Sequence, residues 1–367
     1  MLRFRRRSAT IALGLGLGAL LLGDGGVEVA RAAPVAAPRV EVALLSGAPL
    51  GDATDLRWIT PDVTGLPAPV ATIRHRKGAA VRGAVTPTGD VAVVADTAAG
   101  DDLSFAASLF AIERGKAPRV VADRLVHAQR PLALPDGRVV VARGTAGTAP
   151  RPGAARVDDL TLDVVDLASG KATTLLSAHG YLLFTAGFVD GAVVVYRITE
   201  TGADLVSVEP KSGGVTTLLA SMPPFARDFS VDPAGGRVVF VDRHPTDART
   251  WQLVALETKT RATQLLAESP SIAMMPTVLD DGDVAIAEGD RVKRLSGKAL
   301  DLPAPGALAI TGRATASGRT WLAGTVSEHG KIGRPVVVGA DGRDAWVCPA
   351  PAGERVAVAG LRVRGAK

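Results

Sequence analysis

Five histidines, one cysteine and two acidic runs are the residues of this chain whose types could do chemistry. The histidines are His75, His127, His179, His244 and His329, in the contexts RHRK, LVHAQ, SAHGY, DRHPT and SEHGK. A locally built metal or catalytic site needs ligands a few residues apart, as in a His-Glu-x-x-His helix. No two of these histidines have such spacing, so a shared site would have to be assembled by the fold. Cys348, in AWVCPA, is the single cysteine, which excludes an intramolecular disulfide. As a nucleophile it would need a histidine beside it in space; its apolar setting reads as a buried structural thiol. Asp280, Asp281 and Asp283 in LDDGD lack the Asp-x-Asp-x-Asp-Gly register and closing Glu of a calcium loop. They suit a hairpin turn, where Asp supplies turn chemistry. Asp101 and Asp102 in AGDDLS read as a polar connection. The chain has no Gly-x-Ser-x-Gly elbow and no phosphate-cradling glycine loop.

What must position these residues is a rhythm of tight turns. One class joins two apolar runs, at Gly89, Gly137, Gly191, Gly236, Gly282 and Gly318. A second falls between them, at Gly65, Gly115, Gly170, Gly213, Thr260, Gly297 and Gly342. Asp-Gly and Ser-Gly turns suit hairpins because those turns need positive φ. The runs between them, such as RVVVA (138–142), AVVVYRI (192–198) and RVVFV (237–241), are β-branched and strand-like. No stretch after residue 40 holds an apolar stripe at helical spacing, so the chain reads as all-β. The second class of turn recurs on average about every 46 residues, within the roughly 40–50 residues of a four-stranded propeller blade.

The histidines have an order within this rhythm. His75, His127 and His179 precede a first-class turn by 14, 10 and 12 residues, and His244 and His329 follow one by 8 and 11. Midway positions fall in loops on the face opposite the Gly turns, where loops of several blades gather around a central channel. His127, His179 and His244 are the channel-rim candidates; the plainer reading is that they are solvated loop side chains. No catalytic set, metal or cofactor is expected. Trp58, Trp251, Trp321 and Trp346 read as packing between blades rather than as an exposed sugar-binding platform.

The second-class units DLASGKATTLL (166–176), VEPKSGGVTTLL (208–219) and LETKTRATQLL (256–266) share one plan of strand, polar turn, small or Thr residues and paired Leu. Together with VDPAGGRVVFVD (231–242), this pattern resembles the WD-like repeat of TolB-type bacterial propellers. The resemblance covers about residues 79–350, is strongest over 223–269 and weakest over 270–306, where a repeat is shortened. It implies a β-propeller of four-stranded blades that presents a face or channel rim to an envelope or extracellular protein partner. Six full repeats occupy roughly 79–353. The strand-like DLRWITPDVTGLPAPVATI (55–73) and ERVAVAGLRV (354–363) suggest a seventh blade in which N- and C-terminal strands pair and close the ring; six blades is the alternative.

The N-terminus addresses the compartment. MLRFRRR is followed by the apolar run ATIALGLGLGALLL (9–22) and a small-x-small site at Ala30-Arg31-Ala32, the plan of a cleavable signal peptide. The run is shorter than the roughly 20 residues of a spanning helix. The expected division is a signal peptide over 1–32 and a single propeller over 33–367, exported to the periplasm or secreted, monomeric, with no membrane span after signal removal. Residues 1–32 hold five arginines against Asp24 and Glu28 and carry +3 of the net +5, leaving +2 for the rest. No basic stripe for a phosphate backbone remains, which argues against nucleic-acid binding. Two functions fit: a non-catalytic protein-interaction or ligand-binding scaffold, or a propeller hydrolase or lyase with its active site at the central channel.

Overall fold

The turn glycines behave as the rhythm requires: Gly89 has φ 88° and Gly115 has φ 74°. Where the second class lacks Gly, Arg261 takes the same backbone position at φ 59° and its N–H returns to the Glu257 carbonyl, as that of Gly170 does to Asp166. The critical residue of that turn is therefore Arg261, one place beyond Thr260. The computed structural model describes residues 39–364 except 61–63, 99–102, 150–154, 233, 289–290, 298–301, 303–305, 317–318, 328–332 and 342–343. The predicted leader 1–32, His329, Asp101, Asp102, Gly318 and Gly342 lie outside the described residues. Every helix or strand among the described residues is a strand.

These strands pair antiparallel with their chain neighbours. Val81–Val85, Val91–Asp96, Ala107–Ile112 and Arg119–Leu125 pair in order; so do Arg227–Asp232, Arg237–Arg243, Trp251–Glu257 and Thr263–Ser269. Ala307–Ala316, Arg319–Ser327, Arg334–Gly339 and Ala345–Val347 repeat the scheme. Among the described residues the shortened repeat shows three strands, Thr277–Val278, Val284–Glu288 and Arg291–Arg294. The last strand, Arg355–Arg364, pairs with Arg39–Gly47, which continues to Ala53–Ile59 and Ala71–Arg74. The two ends of the described chain thus share one sheet.

One junction differs. Ala172–Val189 runs 18 residues without a break. Its first half pairs with Asp158–Val165, its second half with Ala192–Thr199, and Gly180 takes part in both ladders. Two successive four-strand groups are thereby fused by one continuous strand, and the single pair Leu125↔Arg143 adds the group that begins at Val81–Val85, making one eleven-stranded sheet.

Sheets stack through their apolar faces, and each core cluster draws on successive sheets. Leu45, Leu56 and Ile73 pack with Val91, Val93 and Phe110, while Tyr196 and Leu205 pack with Val238 and Phe240. The terminal sheet's Val42, Leu44 and Val358 meet Trp321 and Val337 from the preceding one. No sheet has a core of its own, as in repeat architectures generally. The first strands lie innermost: Arg227–Asp232 packs against Ala172–Val189 and Thr277–Val278, and Arg355–Arg364 packs against both Ala307–Ala316 and Val81–Val85. Successive four-stranded antiparallel sheets with their first strands gathered together make a β-propeller. The innermost approach is backbone to backbone. A Cβ on Gly312 would stand 2.7 Å from the Gly360 Cα, so only Gly lets these two strands meet.

Burial has a measurable signature at Tyr196, which is 1% exposed and donates its hydroxyl to the Pro223 carbonyl at 2.9 Å. Desolvation, helped by the Asp242 charge and opposed by a backbone hydrogen bond from Ala226, pushes its pKa up to about 12 from 10.0. The unfolded chain ionises first, so the contribution is complete below pH 10 and lost as pH rises toward 12. The stability gap between wild type and Tyr196→Phe should therefore shrink across that window in urea titrations at successive pH values. A gap independent of pH would contradict the assignment.

Candidate functional site

The described Gly turns of both classes lie at one end of the sheets. The opposite end carries the links between sheets and the turns between second and third strands. All four described histidines lie at this second end: His75 after Ala71–Arg74, His127 after Arg119–Leu125 and His244 after Arg237–Arg243, with His179 at the crossing within Ala172–Val189. His179 is thus held in a strand, not in the expected loop, because the chain passes between sheets there without leaving the ladder.

The structure gives each histidine separate partners. His75 is buried, not solvated; its Nδ1 donates to the Arg76 carbonyl at 2.9 Å and its Nε2 meets the Thr54 hydroxyl at 2.8 Å. His127 Nδ1 lies 3.0 Å from Oδ1 of the fully buried Asp96, whose Oδ2 lies 3.6 Å from Arg76. His179 Nδ1 lies 2.9 Å from Asp159 on the open surface. His244 Nδ1 accepts the Asp247 N–H at 2.9 Å, and its Nε2 faces Glu268 at 3.5 Å. The rim candidates His127, His179 and His244 are therefore on one face but not in one cluster. Among the described residues, no group of three His, Cys, Asp or Glu side chains could hold a metal ion.

The acidic run resolves as turn chemistry. Asp280 pairs with Arg313, while Asp281 and Asp283 pair with Arg294, which is 5% exposed. Burial alone would raise both latter carboxyls; hydrogen bonds from Arg294, with Ser296 on Asp283, overcome it and hold them below the ordinary value. Cys348 is 2% exposed and burial pushes its thiol up to about 12. A thiol so rarely ionised is a poor nucleophile at neutral pH.

What the sequence reading missed is basic. The segment between Arg119–Leu125 and Leu132–Ala133 sends side chains across the centre of the molecule. Gln129 Nε2 donates to the Leu183 carbonyl at 2.5 Å, and Arg130 donates to the carbonyls of Thr311 at 2.5 Å and Val358 at 3.3 Å. Arg130 thereby ties together innermost strands from two other sheets. Near it, at the starts of Val81–Val85 and Arg355–Arg364, Arg82 and Arg355 line a cavity of about 210 Å³. No single stretch of sequence marks this set, because three arginines remote in the chain meet only where innermost strands converge.

The same face carries exposed apolar side chains. Tyr181, Phe225 and Met275 belong to three successive entries into innermost strands, and each is more than a third exposed. Arg243 lies over the Phe225 ring, 5.2 Å from its centroid.

No family model matches the chain, and no curated protein matches it. Among solved structures it is similar to TolB from Acinetobacter baumannii, with TM-score 0.48 and 13% identity over 88% of this chain and 66% of that one. It is also similar to an oligogalacturonate lyase in complex with manganese (TM-score 0.45, 11% identity, 85% of this chain and 91% of that one). A prolyl endopeptidase aligns at TM-score 0.49 and 12% identity over 87% of this chain and 50% of that one. The chain thus spans just under two thirds of the TolB chain and half of the endopeptidase. In fold the chain is a β-propeller of successive antiparallel sheets.

Proposed function

We propose that the chain is an exported, non-catalytic β-propeller of seven blades, closed by its terminal strands, that binds an envelope or extracellular protein through the face opposite its Gly turns. The observation that carries this reading is the exposure of Tyr181, Phe225 and Met275 from successive sheet entries on that face. Tyr, Phe, Met and Arg are the residue types enriched where proteins meet, and scattered outer-strand residues such as Val120 and Val215 lack that company. The ladder from Arg355–Arg364 through Arg39–Gly47 supports closure, and the N-terminal Arg-rich and apolar segment supports export over residues 1–32. Among the described residues no helix is long and apolar enough to cross a membrane.

The test is capture from envelope extract on the immobilised mature chain, run beside Tyr181→Ser/Phe225→Ser. A specific protein held by the wild type and lost by the variant is the expected result. Equal retention by both would remove this face from the account. The enzymatic alternative rests on one pair, His127 and buried Asp96, in which a carboxylate orients the imidazole as it would a general base. It requires a turnover that His127→Ala abolishes.

A further inference from the structure

We infer that the cavity shared by Arg82 and Arg355 binds a small molecule through a carboxylate or phosphate group. This goes beyond capture of a protein partner and stands without it. The cavity opens at the start of the innermost strands Val81–Val85 and Arg355–Arg364, on the face that carries the histidines. Its walls include Leu45, Val81, Val356 and Ala357, and among the described residues no acidic side chain lines it.

Elsewhere in the molecule, many partly buried arginines have carboxylates. Arg57 pairs with Asp55, Arg143 with Asp163, Arg197 with Asp204, Arg294 with Asp283 and Arg362 with Glu41, all within 3.0 Å. Arg82, Arg355 and Arg130 form no ion pair among the described residues; Arg237 and Arg243 also lack one, but each stands apart and donates to a carbonyl of its own surroundings. Arg82 Nη1 donates only to the Val81 carbonyl at 3.1 Å, and Arg355 Nη2 only to the Ala79 carbonyl at 3.1 Å. Arg130 spends two donors on Thr311 and Val358 carbonyls. Carbonyl dipoles hold these side chains without cancelling their charge.

The three also feel one another. Burial first, and then the charge of Arg355, lowers the pKa of Arg82; burial and then Arg82 lower that of Arg130 to about 10. Arg82 is an exposed side chain on the solvent side of the cavity that it lines with Arg355. A folded chain that gathers like charges with no carboxylate between them bears a cost that an anion would relieve. Guanidinium forks match the paired oxygens of carboxylate or phosphate, and apolar walls strengthen the attraction. The volume is below the roughly 300–1,000 Å³ of drug-sized pockets. It suits a ligand of few atoms or the charged end of a longer one.

Titration calorimetry on the mature chain tests this, with inorganic phosphate and with succinate, each exchanged against chloride at constant ionic strength. Saturable one-site binding of at least one is expected, and comparison of the two distinguishes phosphate from carboxylate. Arg82→Gln/Arg355→Gln should weaken that binding by about tenfold or more, the loss of charge-assisted hydrogen bonds, while Arg249→Gln leaves it unchanged. Arg82→Gln alone, at a solvent-contacting position, serves if the double variant does not fold. Absence of saturable binding by both anions, or undiminished binding by the arginine variants, would overturn the inference.

Discussion

Ending the chain at Glu354 is expected to abolish cooperative folding. The lost segment is the strand Arg355–Arg364, which pairs along Arg39–Gly47 from Arg39↔Arg364 to Gly47↔Arg355 and packs on two other innermost strands. Val358 and Leu361, 1% and 5% exposed, would no longer be buried. At about 1.5–3 kcal/mol per buried aliphatic side chain, these two account for roughly 3–6 kcal/mol. The faces they cover, Val42 and Leu44 among them, lose a comparable amount. Total domain stability is about 5–15 kcal/mol, so little would remain. The truncated strand edge would also be open to pairing with other chains. Thermal melts by circular dichroism should show no native transition, and a peptide of residues 355–364 added in trans should restore one. A truncated chain that melts like the full one would mean that the terminal sheet is dispensable.

Phe240→Ala should give the largest loss of any single core truncation. Phe240 is 1% exposed and stacks on Phe229 at 5.6 Å; Phe229 also meets Phe184 at 5.8 Å and Tyr196 at 5.5 Å. These four rings come from two neighbouring sheets, so the cavity opens in the seam between them. Removing a buried Phe costs about 3–5 kcal/mol in transfer and cavity terms together. The fused strand that carries Phe184 limits collapse around the void, which favours the upper part of that range. Urea unfolding should show a lowered midpoint at unchanged slope. A loss under about 1 kcal/mol would show that the seam closes freely over the gap.

Most of the scaffold is legible in the residues because turn chemistry is local. Gly89 and Gly115 need positive φ whatever surrounds them, and the apolar runs between such turns alternate or fill as strands do. Where the local signal is substituted the reading slips by one residue, as at Thr260 and Arg261. Where tertiary pairing overrides it, the reading fails. His179 and Gly180 in SAHGY look like a loop, yet hydrogen bonds on both sides keep them extended. Arg39–Gly47 supplies the ladder partner of the last strand, but the turn that follows it, from Ala48 to Gly51, belongs to neither counted class, and the sequence pattern places N-terminal strands only from Asp55 onward. The basic cavity was invisible for a related reason: Arg82, Arg130 and Arg355 acquire meaning from what is missing around them, and absent carboxylates are a property of three-dimensional neighbourhoods. His75 likewise sits in a basic run that suggests solvent, while Thr54 and the Arg76 carbonyl take both its ring nitrogens indoors.

The unbroken strand Ala172–Val189 gives the molecule a mechanical bias. A loop between neighbouring sheets is a soft spring, whereas a strand hydrogen-bonded into both is a tie rod. Under load, the two groups it joins must tilt as one plate. Compliance is then left to joints bridged by ordinary connections, such as 223–226 and 270–276, which are the segments that present Phe225 and Met275. Phe225 and Met275 can then adjust to a visitor while Tyr181, carried by the unbroken strand itself, keeps its alignment.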